Sequence, residues 1–252
     1  MTAAAGSHHR AGPYRGDRRR AAGARPEGGC RLDTRGLAGV LFDMDGTLVD
    51  SEKVWDVGLS ELAARYGGVL SADARARMVG TNMGMSMAIL HDDLGQPWRD
   101  PDASVTWLEA RMKELFAAGL VWRPGAAELL TRLDAAGVPM ALVTATRRHL
   151  VDVALDTIGR GHFRAVVTGD EVDQTKPHPL PYLTAAALLG VDVRRCVAIE
   201  DSPTGVASAL AAGAAVLAVP AEVDLSTLTG VTLVDSLAEV DVGFLTRLVE
   251  GR

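Results

Sequence analysis

Aromatic side chains are scarce: Phe, Trp and Tyr supply 4% of the 252 residues. Apolar residues still make up 48%, so a core of useful size must be built from Ala, Val and Leu. Cysteine is nearly absent as well. Cys30 and Cys196 are the only two, too few for a disulfide framework and not at metal-ligand spacing. No run of about 18 apolar residues occurs, so no transmembrane helix is expected. No charged n-region leads into an apolar h-region, so no secretory signal is expected either. A cytoplasmic location is the resulting expectation, with no membrane partner. An excess of positive charge is also missing. The formal net charge of −6 argues against nucleic acid as the main partner. Nothing in the sequence indicates an obligate interface, and a monomer is expected.

The basic residues that are present are unevenly placed. Residues 1–36 hold eight arginines (Arg10, Arg15, Arg18, Arg19, Arg20, Arg25, Arg31 and Arg35) against Asp17, Glu27 and Asp33. That surplus of five positive charges leaves residues 37–252 with a net charge of −11. The segment is rich in Gly, Ala and Pro and holds almost no large aliphatics. Too little apolar surface is available to offset the entropy of ordering, so 1–36 reads as a disordered basic tail. Its Arg-rich, acid-poor character also resembles a transit peptide or a nucleic-acid arm.

From residue 38 the pattern changes. "AGVLFD" (38–43), "VPMALVT" (138–144), "RAVVT" (164–168), "CVAIED" (196–201) and "AAVLAVP" (214–220) are short apolar runs without alternation. They read as parallel strands buried on both faces. Helical segments lie between them: "RPGAAELLTRLDAAG", "RRHLVDVALDTIG", "PLPYLTAAALLG" and "PTGVASALAAG" each close on a glycine, the usual helix C-terminal signal. Strand–helix alternation implies right-handed crossovers and a doubly wound α/β sheet, whose ligands bind beyond the carboxyl ends of the strands. One interval breaks this rhythm. Residues 53–121 offer no convincing strand, but carry helical stripes at Trp55, Leu59, Leu62 and Tyr66 and at Val105, Leu108, Met112 and Leu115. A structureless loop of that length is implausible in a compact domain. The expected organisation is a catalytic core of residues 37–52 and 122–252, with 53–121 as an inserted helical domain.

The expected strand ends carry polar residues of one kind. The first ends in Asp43-Met44-Asp45-Gly46-Thr47, the second in Thr144, and the fourth in Glu200-Asp201; Lys176-Pro177 follows the third. A parallel topology gathers all of them at one edge. Four carboxylates there would repel one another and raise their own pKa values. A hard divalent cation with oxygen ligands relieves that repulsion, and Mg²⁺ suits such a donor set. The Lys ammonium and Thr hydroxyl are what a phosphate dianion needs. Two carboxylates two residues apart also permit a division of labour between a nucleophile and a general acid/base.

"DMDGT", "VTAT", "KP" and "IEDS" stand here in the order of the four motifs of the haloacid dehalogenase superfamily, which residues 38–235 resemble. The inserted segment resembles the cap of the subfamily that includes β-phosphoglucomutases and sugar-phosphate phosphatases. The resemblance implies a Rossmann-like three-layer sandwich with a helical cap closing over the site. By the same resemblance, Asp43 is the nucleophile that forms an aspartyl-phosphate, and Asp45 is the general acid/base, its main-chain carbonyl a Mg²⁺ ligand. Thr144 and Lys176 would bind the phosphoryl group. Asp201, with Glu200, would complete the metal site. Thr146 and Arg147 are further candidates for the phosphate or substrate. In the insertion, Trp55 and the Thr81, Asn82 and Ser86 of "MVGTNMGMSMAIL" are candidate substrate contacts. Asp50 and Ser51 read as N-caps of the first inserted helix.

The subfamily contains mutases and hydrolases. β-Phosphoglucomutases typically place a His twelve residues after the nucleophile, where this chain has Trp55, and a Val where it has Thr47. Both departures favour hydrolysis. "FDMDGTLVDSEKVWD" is similar to hexose- and hexitol-phosphate phosphatases. The implied activity is Mg²⁺-dependent hydrolysis of a small-molecule phosphomonoester, with a β-phosphoglucomutase-like phosphotransferase as the alternative. A regulator whose basic tail docks a partner is the expectation from a different functional class.

Overall fold

The computed structural model describes residues 36–79 and 81–251. The basic segment, apart from Gly36, lies outside them, and with it any reading of a tail that docks a partner. Six strands form one sheet: β1 (Gly39–Phe42), β2 (Met140–Val143), β3 (Ala165–Val167), β4 (Cys196–Glu200), β5 (Ala215–Ala218) and β6 (Thr232–Leu233). Their order is β3-β2-β1-β4-β5-β6, and every neighbouring pair is parallel. The central strands are buried along their whole length, which is why their sequences run apolar without a break.

Helices cover both faces. Alternate residues of each strand feed two cores, as the two-residue period of a strand requires. Val40, Phe42, Leu142 and Ile199 pack on one face with α5 (Ala126–Ala136), α6 (Arg148–Ile158) and α9 (Val242–Glu250). Leu41, Ala141, Val143 and Ala198 pack on the other with α7 (Leu180–Leu189) and α8 (Pro203–Ala212). The three layers are those of a Rossmann-like sandwich. Helices α5, α7 and α8 end at Gly137, Gly190 and Gly213 in the left-handed conformation, as their sequences suggest. Strand β6 and helix α9 are elements that the sequence reading did not anticipate.

Among the described residues, four helices stand between β1 and α5: α1 (Glu52–Arg65), α2 (Ala72–Met78), α3 (Met83–Asp93) and α4 (Pro101–Ala117). Leu59, Leu62, Val105, Leu108 and Met112 are buried where α1 meets α4, with Trp55, Tyr66 and Leu115 packed around them. Both stripes therefore face this inserted core. The chain leaves and re-enters the sheet layer side by side, since Asp50 N donates to Val121 O at 2.8 Å and Arg123 N to Leu48 O at 2.9 Å. No described helix is long and apolar enough to cross a membrane.

Met112 is fully buried, and replacing it with Ala should leave a cavity between α1 and α4. The expected loss is about 2–5 kcal/mol, read as a lower unfolding midpoint in urea. A shift near zero would mean that the α1–α4 contact is not a packed core.

Candidate active site

The loop after β1 begins the site. Asp43 N donates to Ile199 O at 3.0 Å, extending the β1–β4 ladder, and the Asp43 side chain is buried. Its Oδ1 accepts from Lys176 Nζ at 2.7 Å, while Oδ2 is buried without a hydrogen bond. Gly46 has φ +78°, and a Cβ built there would fall 2.0 Å from Asp201 Oδ2. Glycine is therefore required twice over, for the turn and for the approach of Asp201.

Asp45 is held by four donors. Oδ1 accepts from Ser51 Oγ at 2.6 Å and Trp55 Nε1 at 3.3 Å. Oδ2 accepts from Thr146 Oγ1 at 2.7 Å and Thr144 Oγ1 at 3.1 Å. Two of these donors come from the entry to the insertion and two from the end of β2. The expected capping role of Ser51 is not seen: its hydroxyl makes no cap bond to α1 because it is committed to Asp45. The Asp50 carboxylate likewise pairs with Lys53. Thr144 Oγ1 also accepts from Thr146 N at 3.0 Å, which orients its hydrogen toward Asp45.

Lys176 lies at the centre. Its ammonium donates to Asp43 Oδ1, to Glu200 Oε1 at 2.6 Å and to Val143 O at 2.9 Å. Glu200 is fully buried; Oε1 also accepts from the Tyr182 hydroxyl, and Oε2 from Ser202 Oγ at 3.2 Å. Room for this carboxylate at the start of α8 comes from Gly205, whose missing Cβ would lie 1.9 Å from Glu200 Oε2. The sequence reading missed Tyr182. In "PLPYLTAAALLG" an aromatic residue satisfies the apolar pattern, and only the hydroxyl hints at a polar partner.

Burial first, then the negative charges of Glu200 and Asp45, push the Asp43 carboxyl up to about 8 against the pull of Lys176. Burial and the charges of Asp43 and Glu200 likewise raise Asp201 well above the usual carboxylate range. Burial alone would lower Lys176, but Asp43 and Glu200 more than offset it and hold the ammonium above its ordinary value. Burial and Glu200 together raise the Tyr182 hydroxyl, so it stays a donor.

Oxygens of Asp43, Glu200 and Asp201 lie within 4.8 Å of one another. An orphaned buried oxygen on Asp43, together with an all-carboxylate donor set, fits a small hard cation. Glu200 fits it less directly, because both of its oxygens already accept hydrogen bonds.

These groups open onto a cavity of about 460 Å³, within the range typical of small-ligand sites. Asp43, Asp45, Thr144, Thr146, Arg147, Lys176 and Asp201 line it from the sheet edge. Trp55, Thr81, Asn82 and Ser86 line it from the insertion. Glu200 lies behind this wall. The hydroxyls of Thr81 and Ser86 are 2.8 Å apart, and Asn82 Oδ1 accepts from Met85 N at the start of α3. Arg147 reaches the cavity, but its guanidinium lies 3.0 Å from Glu109 Oε1 on α4. Glu52 and Arg75 also line the cavity, and neither was anticipated. Arg75 Nη2 donates to Glu52 Oε2 at 2.5 Å, and its Nε to Asp56.

Fold and site together define an α/β protein with an acidic cavity at the carboxyl edge of a parallel sheet, beneath a helical insertion. The sequence pattern of haloacid dehalogenase-like hydrolases matches residues 37–213, and the chain belongs to that family. Hexitol phosphatase A of Escherichia coli K12 is 36% identical over 205 residues, covering 81% of this chain and 93% of that protein. Protein CbbY of Rhodobacter capsulatus is 35% identical over 198 residues, covering 74% of this chain and 86% of that protein. A crystal structure of a mutant CbbY from Rhodobacter sphaeroides, in complex with xylulose-(1,5)bisphosphate, superposes with a TM-score of 0.74 at 27% identity. It covers 83% of this chain and 99% of that one.

Two predictions follow from the electrostatics. Without a cation, Asp43 stays protonated in the folded protein up to about pH 8 but ionises near 3.8 when unfolded. The folded state then holds the extra proton, so its stability falls as pH rises through that window. A divalent cation favours the ionised carboxylates and opposes the fall. Mg²⁺ should therefore raise the melting temperature more at pH 8 than at pH 5.5; equal increments would contradict this account. In Tyr182→Phe, a buried carboxylate loses one of its donors. The expected cost is about 1.5–3 kcal/mol of stability, and an unchanged denaturation midpoint would show that the Tyr182–Glu200 bond contributes nothing net.

Proposed function

We propose that this protein is a Mg²⁺-dependent phosphatase acting on small phosphomonoesters, sugar phosphates of the hexose or hexitol type, through an aspartyl-phosphate on Asp43. The observation that carries this reading is the asymmetry of Asp43. Lys176 occupies Oδ1 at 2.7 Å, while Oδ2 is buried and unpartnered. Oδ2 is thus the oxygen left to attack phosphorus. Identity of 36% to a hexitol phosphatase supports the choice of substrate class.

In the first step the Asp43–phosphorus bond forms and the ester P–O bond breaks, and the departing oxygen takes a proton from Asp45. In the second, Asp45 removes a proton from water as the water oxygen attacks phosphorus, freeing phosphate and restoring Asp43. The environment of Asp45 suits this traffic. An indole N–H can only donate, so Trp55 keeps Oδ1 an acceptor. The partners of Oδ2 are the hydroxyls of Thr144 and Thr146. The Thr146 hydroxyl can reverse its bond, which directs the proton to Oδ2. Trp55 also speaks against the phosphotransferase alternative, since a side chain that cannot accept a proton does not assist transfer between sugar hydroxyls.

Asp43, Asp201 and the Asp45 main-chain carbonyl would hold Mg²⁺, with Glu200 supporting them from behind. When bound, the ion offsets the carboxylate charge and draws electron density from a phosphoryl oxygen. Lys176, Thr144 and Thr146 would bind the phosphoryl group. Residues 53–121 act as a cap over the core formed by 37–52 and 122–252, and bring Thr81, Asn82 and Ser86 to the body of the substrate.

The test is phosphate release from a panel of hexose and hexitol phosphates, with Mg²⁺ and with EDTA. Asp43→Asn should lower turnover by about three orders of magnitude or more without lowering the melting temperature. Substantial Mg²⁺-dependent turnover in that variant would sink the mechanism, and isomerised product without free phosphate would favour the phosphotransferase.

A further inference from the structure

The charge balance of the cavity narrows the substrate further, an inference that rests on the phosphatase reading. Among the described residues, three cations line the cavity: Lys176, Arg75 and Arg147. Lys176 belongs to the phosphoryl end, between Asp43 and Glu200. The other two are the residues able to receive a second anionic group, and each is already engaged. Arg75 pairs with Glu52 at 2.5 Å and also with Asp56. Arg147 pairs with Glu109 at 3.0 Å, and the same carboxylate lies 3.5 Å from His149 Nε2. Neither arginine thus presents an uncompensated positive charge. Elsewhere on the insertion side the wall offers Thr81, Ser86 and Asn82, hydroxyls and an amide suited to uncharged hydroxyl groups.

We propose that the protein selects substrates with a single phosphate on an otherwise uncharged polyhydroxylated body, and that Glu52, Asp56 and Glu109 exclude a second phosphate by neutralising the two arginines that would bind it. Arg75 and Glu52 are largely shielded from solvent, and there one unit charge at a few ångströms changes affinity more than it does in water; Arg147 is about half exposed and its pair with Glu109 acts more weakly. Asp56 and Glu109 act through the arginines and touch no reacting atom; they are specificity-determining residues.

The test compares kcat/KM for glucitol 6-phosphate and glucitol 1,6-bisphosphate, with released phosphate as the readout. The wild-type protein should prefer the monophosphate by about tenfold or more. Glu109→Gln removes the carboxylate charge on Arg147, and Asp56→Asn removes one of the two carboxylate charges on Arg75, leaving Glu52 in place. Each should narrow that preference by roughly threefold to tenfold, chiefly through a lower KM for the bisphosphate, and leave the monophosphate within about twofold of wild type. Circular dichroism and melting curves check that both variants fold, and the wild-type ratio needs no variant at all. Equal or better use of the bisphosphate by the wild type overturns the proposal while leaving the phosphatase reading intact. So does a wild-type preference that neither variant moves. Release of phosphate from neither ester nor from any other hexose or hexitol phosphate removes the phosphatase reading, and this inference falls with it.

Discussion

A lysine ammonium shut away from water is costly to desolvate and costlier still to leave unpaired. Lys176 meets both demands by using all three of its hydrogens, on Asp43, Glu200 and the Val143 carbonyl. Those partners lie at the ends of β1, β4 and β2, so a single side chain fastens three strand ends together. The parallel sheet makes this possible. In the order β3-β2-β1-β4-β5-β6, β1 stands between β2 and β4, and the carboxyl ends of all three open on the same edge. Reversing any one of them would carry its polar residue to the far edge and leave the ammonium short of a partner.

Asp45 performs a second fastening, between the sheet and the insertion. Ser51 and Trp55 reach it from the start of the inserted helices, and Thr144 and Thr146 from the end of β2. The residue proposed to move the proton therefore sits where the two parts of the molecule join. Movement of the inserted helices away from the sheet would take Ser51 or Trp55 from Oδ1 and leave that oxygen with fewer donors. On the proposed mechanism, closure of the inserted helices and proton transfer would be coupled through these four hydrogen bonds to one carboxylate.

How much of this was legible in the sequence depends on the range of the interaction involved. Buried parallel strands announce themselves as unbroken apolar runs, so β1 to β5 and the residues at their ends could be placed. Thr232–Leu233 could not, because two partly exposed residues in a Thr-rich stretch carry no strand signal. Ser51 shows local chemistry losing to tertiary chemistry. A serine before a helix reads as a cap, yet its backbone is helical rather than extended and its hydroxyl serves Asp45. Tyr182 was hidden because its ring satisfies the apolar pattern while its hydroxyl does not. The Arg75–Glu52 and Arg147–Glu109 pairs were hidden for another reason. Long side chains choose partners 23 and 38 positions away, and no periodicity records where a guanidinium points.

The two carboxylates that flank Lys176 share one cation and are nevertheless unequal. Glu200 has both oxygens occupied, by Lys176, Tyr182 and Ser202. Asp43 has one occupied and one buried and bare. A buried carboxylate oxygen without a donor carries a desolvation penalty that nothing in the fold repays, and a fold selected for stability alone would be expected to supply one, as it has done for Glu200. On the proposed mechanism, the difference in hydrogen bonding, more than any difference in depth, separates a supporting carboxylate from a reactive one. Tyr182 and Ser202 occupy Glu200, so that in that mechanism Lys176 would hold Asp43 in place with no second bare carboxylate oxygen beside it.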